Sequence, residues 1–309
     1  MNRLSREPAA DPLYARPHAE RLSYATGMLL DAQDFADEQT YHRGRLARAL
    51  ASLTGGGTLA GLRVVHAPET AGDTAAPEEI RVEPGLAVDR LGRLIELPRP
   101  ACIRLQRWFE AEGAADGGDR LRLGAYGDLE RFLSARAIAE AGSDSRPPVP
   151  ERAVVADVFI RFIACARGLT PSFASGPYDA LDAVATSRVR DAYDLHLVVR
   201  AGLDDAFDGL PSPGVDLAAI ADPDERRARL QDAVLDGYPA AGRAGSPDTL
   251  DPLPEHPPDL DPTAVFLARV LVPVGAADLP ARAGTAVVVD GWRRRFIPSA
   301  LLLSRWIGA

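Results

Sequence analysis

The amino-acid sequence predicts an α+β fold with a mainly antiparallel β core, an N-terminal amphipathic helix and helical insertions. Segments with the two-residue period of a strand outnumber segments with the period of a helix. The gaps between strand-like segments mostly have the length of hairpin loops, whereas parallel strands would need longer crossovers. The long helical patterns lie at the start of the chain and in insertions, so they do not alternate with strands as in a doubly wound sheet.

The N-terminal region combines a polar arm with a predicted helix. Residues 1–19 contain prolines and lack periodicity, which indicates an extended arm. An amphipathic helix is predicted from Asp31 or Asp34, and either residue is suited to be its N-cap. Its early turns are acidic and its later turns are basic, as the helix dipole favours. The apolar positions of this helix are Leu30, Phe35, Tyr41, Leu46, Leu50 and Leu53.

A glycine-rich turn and three short strands follow the helix. Residues 54–58, TGGGT, are predicted to end the helix because glycine tolerates positive φ. Apolar and polar positions then alternate around residues 80–82, 86–88 and 94–97, with turns expected between these runs. The pattern predicts a β-meander, so residues 20–110 form one module of helix plus meander.

The second part of the β core is predicted in residues 111–210, with a helical insertion. A short helix at LQRWFEAEG precedes a strand at DRLRLGAY and a second helix at DLERFLSARAIAEAG. The run AVVADVFIRFIACA is β-branched and aromatic, which favours a buried strand. The run SRVRDAYDLHLVVRAG alternates again. Its apolar face consists of Tyr193, Leu195, Leu197 and Val199.

The C-terminal third is predicted to hold one helix and the last strands. Residues 211–262 are assigned to a helix and a loop rich in proline, glycine and aspartate. Asp222 is suited to cap the helix, Pro223 to its first turn and Gly237 to its end. Residues 263–309 are expected to supply C-terminal strands that complete the core, followed by the cationic and aromatic tail WRRRFIPSALLLSRWIG.

Composition excludes several classes of partner and chemistry. The chain of 309 residues has 35 basic and 44 acidic residues and a formal net charge of -9, which disfavours a phosphate backbone as partner. Every basic residue is arginine, so Schiff-base chemistry and a P-loop lysine are excluded. Cys102 and Cys165 are far apart, so no metal knuckle or disulfide framework is predicted. We expect cytoplasmic synthesis, no membrane insertion and no bound nucleic acid.

The helix contains one pair with metal-ligand spacing. Glu38 and His42 are four residues apart and share a face, but a second histidine of the kind that zinc sites use does not follow. Gln39, Tyr41 and His42 are therefore interpreted as polar contacts at the edge of a helix interface. Isolated histidines such as His196 are interpreted as structural. No catalytic, cofactor-binding or metal-binding residue is predicted.

The tail begins with a second candidate contact site. Arg293, Arg294 and Arg295 stand between Trp292 and Phe296, and tryptophan and arginine are enriched in binding hot spots. Two interpretations stay open for this segment. The arginines either lie solvated along a strand edge, or they contact an acidic protein surface.

The order of motifs resembles a known but poorly characterised family. The segments LSYATGMLLDAQDFADEQTYHRGRLARAL, GLRV, VEPGLAVDRLGRLIELP and SRVRDAYDLHLVV are similar to accessory proteins encoded with contractile phage tails and phage-tail-like extracellular injection systems. The chain departs from that family at TGGGTLAG, where relatives carry an aromatic-glycine pair. The matching positions are Asp34, Phe35, Glu38, Gln39, Tyr41, His42, Gly61, Pro84, Gly85, Asp89, Gly92, Arg188 and Tyr193.

This resemblance implies a non-enzymatic structural or accessory subunit, at the baseplate or fibre attachment of the particle. Its partners would be other particle subunits (baseplate, tube or fibre proteins), with homo-oligomerisation left open, and it would leave the cell if the particle is released. On the helix, Phe35, Tyr41 and Leu46 are expected on the buried side. The expected partner-binding residues are Phe35, Glu38, Gln39, Tyr41, His42, Arg45, Trp292, Arg293, Arg294 and Arg295.

Two alternative functions stay open at this stage. A carbohydrate- or receptor-binding module of such a particle is suggested by Trp108, Trp292, Trp306 and the aspartate-rich loops. A cell-wall hydrolase would need two carboxylates about 5 to 10 Å apart across a cleft. The aspartate pairs of the sequence lie in turn-forming surroundings, where Asp is expected to hydrogen-bond its own backbone.

Overall fold

The computed structural model describes most of the chain. The described residues are 11, 13, 20–72, 75–143, 146–171, 184–204, 206–212, 217–237, 250–284 and 286–307. The predicted arm at 1–19 lies outside them except for Asp11 and Leu13, and so does 238–249 of the predicted loop. Helices and antiparallel sheets combine as predicted, so the α+β class is confirmed.

The first part of the fold contains one long helix and six short strands. Helix α1 spans Ala32–Thr54. The strands are β1 (Gly57–Gly61), β2 (Val64–Ala67), β3 (Glu79–Val82), β4 (Gly85–Val88), β5 (Leu94–Leu97) and β6 (Ala101–Arg104). They form two three-stranded antiparallel sheets, in the orders β1-β4-β5 and β2-β3-β6.

The predicted meander is therefore wrong in its connectivity. Strands β4 and β5 do pair as a hairpin, but β3 and β4 belong to different sheets. The chain changes sheet at Pro84-Gly85, where Gly61 comes so close that a Cβ atom on it would collide with the carbonyl oxygen of Pro84. Gly61 also has a φ of 62°, a conformation that L residues with a side chain seldom adopt. This close crossing depends on contacts that the strand period does not encode.

The helical insertion is more broken than predicted. It consists of α2 (Leu105–Ala114), α3 (Asp119–Leu123), the two-residue strand β7 (Ala125–Tyr126) and α4 (Ala135–Glu140). The strand predicted at DRLRLGAY is thus mostly helix. The helix predicted at 128–142 is split into a 3-10 turn and α4 because Ser134 starts a new helix, its Oγ accepting from the Ala137 amide at 3.1 Å.

The main sheet carries the largest strands. Its strands are β8 (Ala153–Pro171), β9 (Val184–Val199), β10 (Val265–Pro273), β11 (Val288–Asp290) and the short β7. The strand order is β11-β10-β8-β7, and β9 pairs with β8 further along β8 than β7 does. All nine residues of β10 are buried. The main core joins this sheet to the two small sheets, and the predicted apolar face of β9 packs against it. The strand predicted at 153–166 is confirmed, although it is completely buried only from Ala153 to Ile160, and β10 supplies one of the expected C-terminal strands of the core.

The ladder between β8 and β9 extends well past the rest of the sheet. Strand β10 pairs with β8 only as far as Ile160. From Arg161 to Pro171, β8 pairs only with residues 184–194 of β9 among the described residues. β8 has 19 residues, whereas strands of globular proteins usually have about 5 to 6. The outer half of this hairpin is a two-stranded arm.

Two further helices lie on the surface. Helix α5 spans Pro223–Leu235, and the Asp222 side chain accepts from the Asp224 amide at its start, as predicted. None of its residues is buried. Helix α6 spans Ala300–Ile307, so the prediction of strands for 263–309 is wrong for the end of the chain.

Candidate functional site

Helix α1 starts with a complete capping box. The Asp31 carboxylate accepts from the amides of Gln33 and Asp34 at 2.8 and 3.0 Å, while the Asp34 carboxylate accepts from the Asp31 amide at 2.9 Å. Of the two predicted N-caps, Asp31 is the actual one. The reciprocal bonds satisfy amides that a helix end otherwise leaves to water.

The inner face of α1 is made of small residues. Gly44 and Ala47 are its buried positions. Gly92, in the turn between β4 and β5, lies so close that a Cβ atom would collide with the carbonyl oxygen of Ala47. Arg43 adds an ion pair of 3.2 Å to the buried Asp11. The helix backbone therefore rests directly on the β4–β5 hairpin.

The expected burial of Phe35 and Leu46 is wrong. Their exposed fractions are 50% and 63%, and Leu53 is 83% exposed. The small inner residues draw the helix backbone towards the hairpin, and this turns the large apolar side chains outward. Tyr41 is half-buried and lies beneath the Arg45 guanidinium at 5.2 Å from the ring centre.

Of the polar candidates of α1, His42 is exposed and Glu38 is partly exposed. His42 Nε2 lies 3.9 Å from Glu38 Oε1, and the Glu38 carboxylate accepts a hydrogen bond from the Tyr24 hydroxyl. That hydrogen bond raises the pKa of Tyr24 because it favours the protonated phenol. Gln39 and Arg45 are also exposed.

The arginine segment of the tail is held mainly by the chain's own groups. Arg294 is buried and donates to the carbonyl oxygens of Leu62 and Gly291 at 2.6 and 2.8 Å. Burial lowers the pKa of Arg294 to about 10, so it keeps its charge at neutral pH. The interpretation of solvated arginines along a strand edge is therefore wrong for Arg294.

The neighbours of Arg294 are also paired. Arg295 forms an ion pair with the buried carboxylate of Glu255. Arg293 lies 3.1 Å from Asp208, and both side chains are partly exposed. The Trp292 ring stacks against the Arg136 guanidinium at 3.6 Å. Of the four predicted contact residues in this segment, Arg293 is exposed and Trp292 and Arg295 are half-buried.

The end of α1 and the arginine segment meet at one cleft. The cleft has a volume of about 720 Å³ and is lined by Thr54–Gly57, Arg90, Glu255 and residues 292–297, among others. Gly57 allows this approach, since a Cβ atom on it would lie 2.7 Å from the Arg295 carbonyl oxygen. Thr58 and the tail exchange backbone hydrogen bonds of 2.9 and 2.8 Å.

The cleft does not offer the pair of carboxylates that a glycosidase requires. Glu255 is the one carboxylate among its described lining residues, and it is neutralised by Arg295. Arg90 donates to the carbonyl oxygens of Asp251 and Pro262 at 2.6 and 3.3 Å, so its charge is committed to the fold.

The short helix α6 is exposed over nearly all of its surface. The exposed fraction of Trp306 reaches 83%. The other large apolar side chains at its surface are Leu301, Leu302 and Leu303. This helix was not predicted from the sequence, although the run SALLLSRW places apolar residues at the spacing of a helix face.

Other candidate residues belong to the fold. The indole of Trp108 donates to the Leu197 carbonyl oxygen at 2.8 Å and packs on the main core, which removes it from a glycan platform. His196 lies 3.0 Å from Asp194, which agrees with its interpretation as structural. His256 accepts from the Leu253 amide at 3.0 Å, so its other ring nitrogen donates to the Ala264 carbonyl oxygen.

Sequence analysis also missed a charged cluster in the core. Asp157 of β8 pairs with Arg269 of β10 through contacts of 2.9 and 3.0 Å, and Arg200 lies 3.4 Å from the same carboxylate. The three side chains are almost completely buried. A signal was present, because VVADVFI and FLARVLV each carry one charge, of opposite sign, inside an apolar run.

The described part of the chain yields no group of three or more His, Cys, Asp or Glu side chains arranged to hold a metal ion. None of its described helices has the length and hydrophobicity to cross a membrane. Comparison with known proteins gives no match to a family model or to a curated sequence.

Proposed function

We propose that the chain is a non-enzymatic structural or accessory subunit of a contractile phage-tail-like injection particle, which acts by binding other subunits. The observation that carries this proposal is the apolar surface left open on α1 and α6. The motif order described above supplies the particular setting, at the baseplate or fibre attachment.

The energetics of this surface support an assembly role. Complete burial of one large apolar side chain contributes about 1.5 to 3 kcal/mol. Leu46, Leu53 and Trp306 forgo most of that contribution in the isolated chain because each remains at least 63% exposed. Large apolar side chains gathered on one face of a helix, as Leu46 and Leu53 are on α1, are typical of a site that another molecule covers.

The test is purification of particles from producing cells with and without the gene. We expect the chain to co-purify with sheath and tube proteins, and its deletion to change particle composition or shape. A Leu302→Asp/Trp306→Asp variant should fold but leave the particle, while Leu123→Asp, at an exposed leucine of α3, should remain bound. Particles of unchanged composition, shape and activity in the deletion strain would refute the proposal.

A second candidate function is a receptor- or carbohydrate-binding module of the same particle. The cleft beside Trp292 and Arg293 favours it, because aromatic and arginine side chains are frequent at recognition sites. Binding of the isolated chain to a glycan array, lost on Trp292→Ala, would support this function. A silent array would count against it.

A further inference from the structure

The outer face of α1 carries a continuous stripe with the spacing of a helix–helix seam. Its positions follow one another at intervals of four and three residues, which keeps them on one side of a helix with 3.6 residues per turn. All six are exposed, and they lie opposite the buried pair Gly44 and Ala47. The stripe consists of Phe35, Gln39, His42, Leu46, Ala49 and Leu53.

The charges of α1 are divided between its two halves. Residues 31–40 carry four acidic side chains and no basic one, and residues 41–50 carry three arginines and no acidic one. A parallel copy of the helix would bring like charges together. An antiparallel copy would instead place the acidic half of each helix beside the basic half of the other, which attracts and sets the orientation.

We propose that α1 is a self-association surface, on which the α1 helix of a second copy of this chain packs antiparallel. This inference rests on the proposed assembly function and names one of its partners. The two helices would be related by a two-fold axis that crosses the seam at the level of residue 44 along the helix, so that the contact is the same for both copies. Phe35 then packs on Leu53, Gln39 on Ala49 and His42 on Leu46 of the other copy.

The register also brings specific charges together. Glu38 and Arg45 flank the stripe on the same side, and in this register the Glu38 of one copy lies about five residues, or about 7.5 Å, along the seam from the Arg45 of the other. Arg45 is exposed and forms no ion pair with a described residue of its own chain, so its charge is available to the other copy. The seam covers 19 residues, or about 27 Å of helix, and the exposed Tyr24, Met28 and Leu29 lengthen the apolar surface just before it.

The experiment measures the self-association of the full chain by sedimentation velocity over a wide range of concentrations. We expect a reversible monomer–dimer equilibrium that weakens at high salt. Leu46→Asp should raise the dissociation constant at least tenfold, because it places a carboxylate in the seam. The matched control is Leu123→Asp, which alters a leucine of the same exposure, 63%, outside α1 and should leave the dimer unchanged.

A charge exchange tests the orientation. Glu38→Arg and Arg45→Glu should each weaken the dimer severalfold, and the double variant should restore it, since antiparallel packing brings these two flanking positions to the same side of the seam. Tyr24→Phe controls for the loss of the local hydrogen bond to Glu38. A restored double variant is not expected from a parallel pair, in which each position would face its own copy.

The proposal is overturned if the chain is monomeric at all concentrations, if Leu46→Asp leaves the dimer intact, or if Trp306→Asp abolishes a dimer that tolerates Leu46→Asp. Its failure is separable from failure of the proposed function. A monomeric chain that still co-purifies with particles refutes only the self-association, whereas a dimer absent from particles refutes only the particle assignment.

Discussion

Replacement of Asp157 by asparagine should destabilise the fold strongly, because two buried arginines depend on this one carboxylate. Arg269 contacts both of its oxygens, and Arg200 lies 3.4 Å from one of them. Residues 157 and 269 are directly paired between β8 and β10, so packing fixes both side chains. Asparagine keeps the shape of the side chain but removes its charge.

The magnitude follows from the burial of the partners. Removal of one member of a buried ion pair costs about 3 to 5 kcal/mol, since the remaining charge is left without compensation. Arg269 retains its hydrogen bonds to the carbonyl oxygens of Asp208 and Gly209, which favours the lower end of that range. A loss of about 3 kcal/mol corresponds to a decrease in Tm of about 5 °C for a protein of this size.

The assay is urea unfolding followed by circular dichroism and tryptophan fluorescence, together with thermal melting. Asp278→Asn is the matched control, because Asp278 pairs with Arg122 at 3.4 Å but is highly exposed. This control should stay within about 0.5 kcal/mol of the wild type. A loss for Asp157→Asn of less than about 1 kcal/mol, or one equal to the control, would refute the reasoning.

Three further predictions concern the helix, its support and pH. In urea unfolding, Gly92→Ala should lower the free energy of unfolding by more than about 3 kcal/mol, because the new methyl group meets the Ala47 carbonyl. The control Gly72→Ala has a similar positive φ but open space around it, and it should lower the free energy of unfolding by about 1 to 2 kcal/mol. Asp31→Ala should lower stability by about 1 kcal/mol through loss of the N-cap, visible as a small decrease in Tm. Burial lowers the pKa of His256 below 6.5. As pH falls, the unfolded chain therefore binds a proton before the folded chain does, and the free energy of unfolding should decrease below about pH 6.5. His256→Gln should reduce the size of this decrease.

The elements that sequence predicted well are those decided by local contacts. Helix α5 begins after Asp222 because that side chain and Pro223 suit the first turn of a helix. None of its residues is buried, so tertiary contacts are not needed to explain where it forms. The apolar face of β9 was predicted correctly because, when apolar and polar residues alternate over a long strand, only one orientation of the strand buries the apolar ones. The N-cap of α1 was likewise visible in its own sequence.

The errors arise where distant segments decide the outcome. The inner face of α1 is the side that fits against Gly92. The spacing of apolar residues predicted instead that Phe35 and Leu46 are buried, and both are exposed. Strands β3 and β4 separate into two sheets because Gly61 and Gly85 let the chain cross closely. The spacing of apolar residues indicates which side of a helix or strand is apolar, but it does not indicate which distant segment of the chain will pack against the element.

A few arginines of this chain are buried while several leucines are exposed, and this contrast bears on the role of the apolar surface. Arg269, Arg200 and Arg294 are buried, and each finds a carboxylate or carbonyl oxygen within the chain. A guanidinium group buried without such partners would be too costly, so the fold must supply them itself. Leu46 and Leu53 impose no such requirement, because an exposed leucine does not destabilise the fold but only lacks the free energy that its burial would contribute. Arg269, Arg200 and Arg294 thus find partners within the chain, whereas Leu46 and Leu53 gain only if a second molecule covers them.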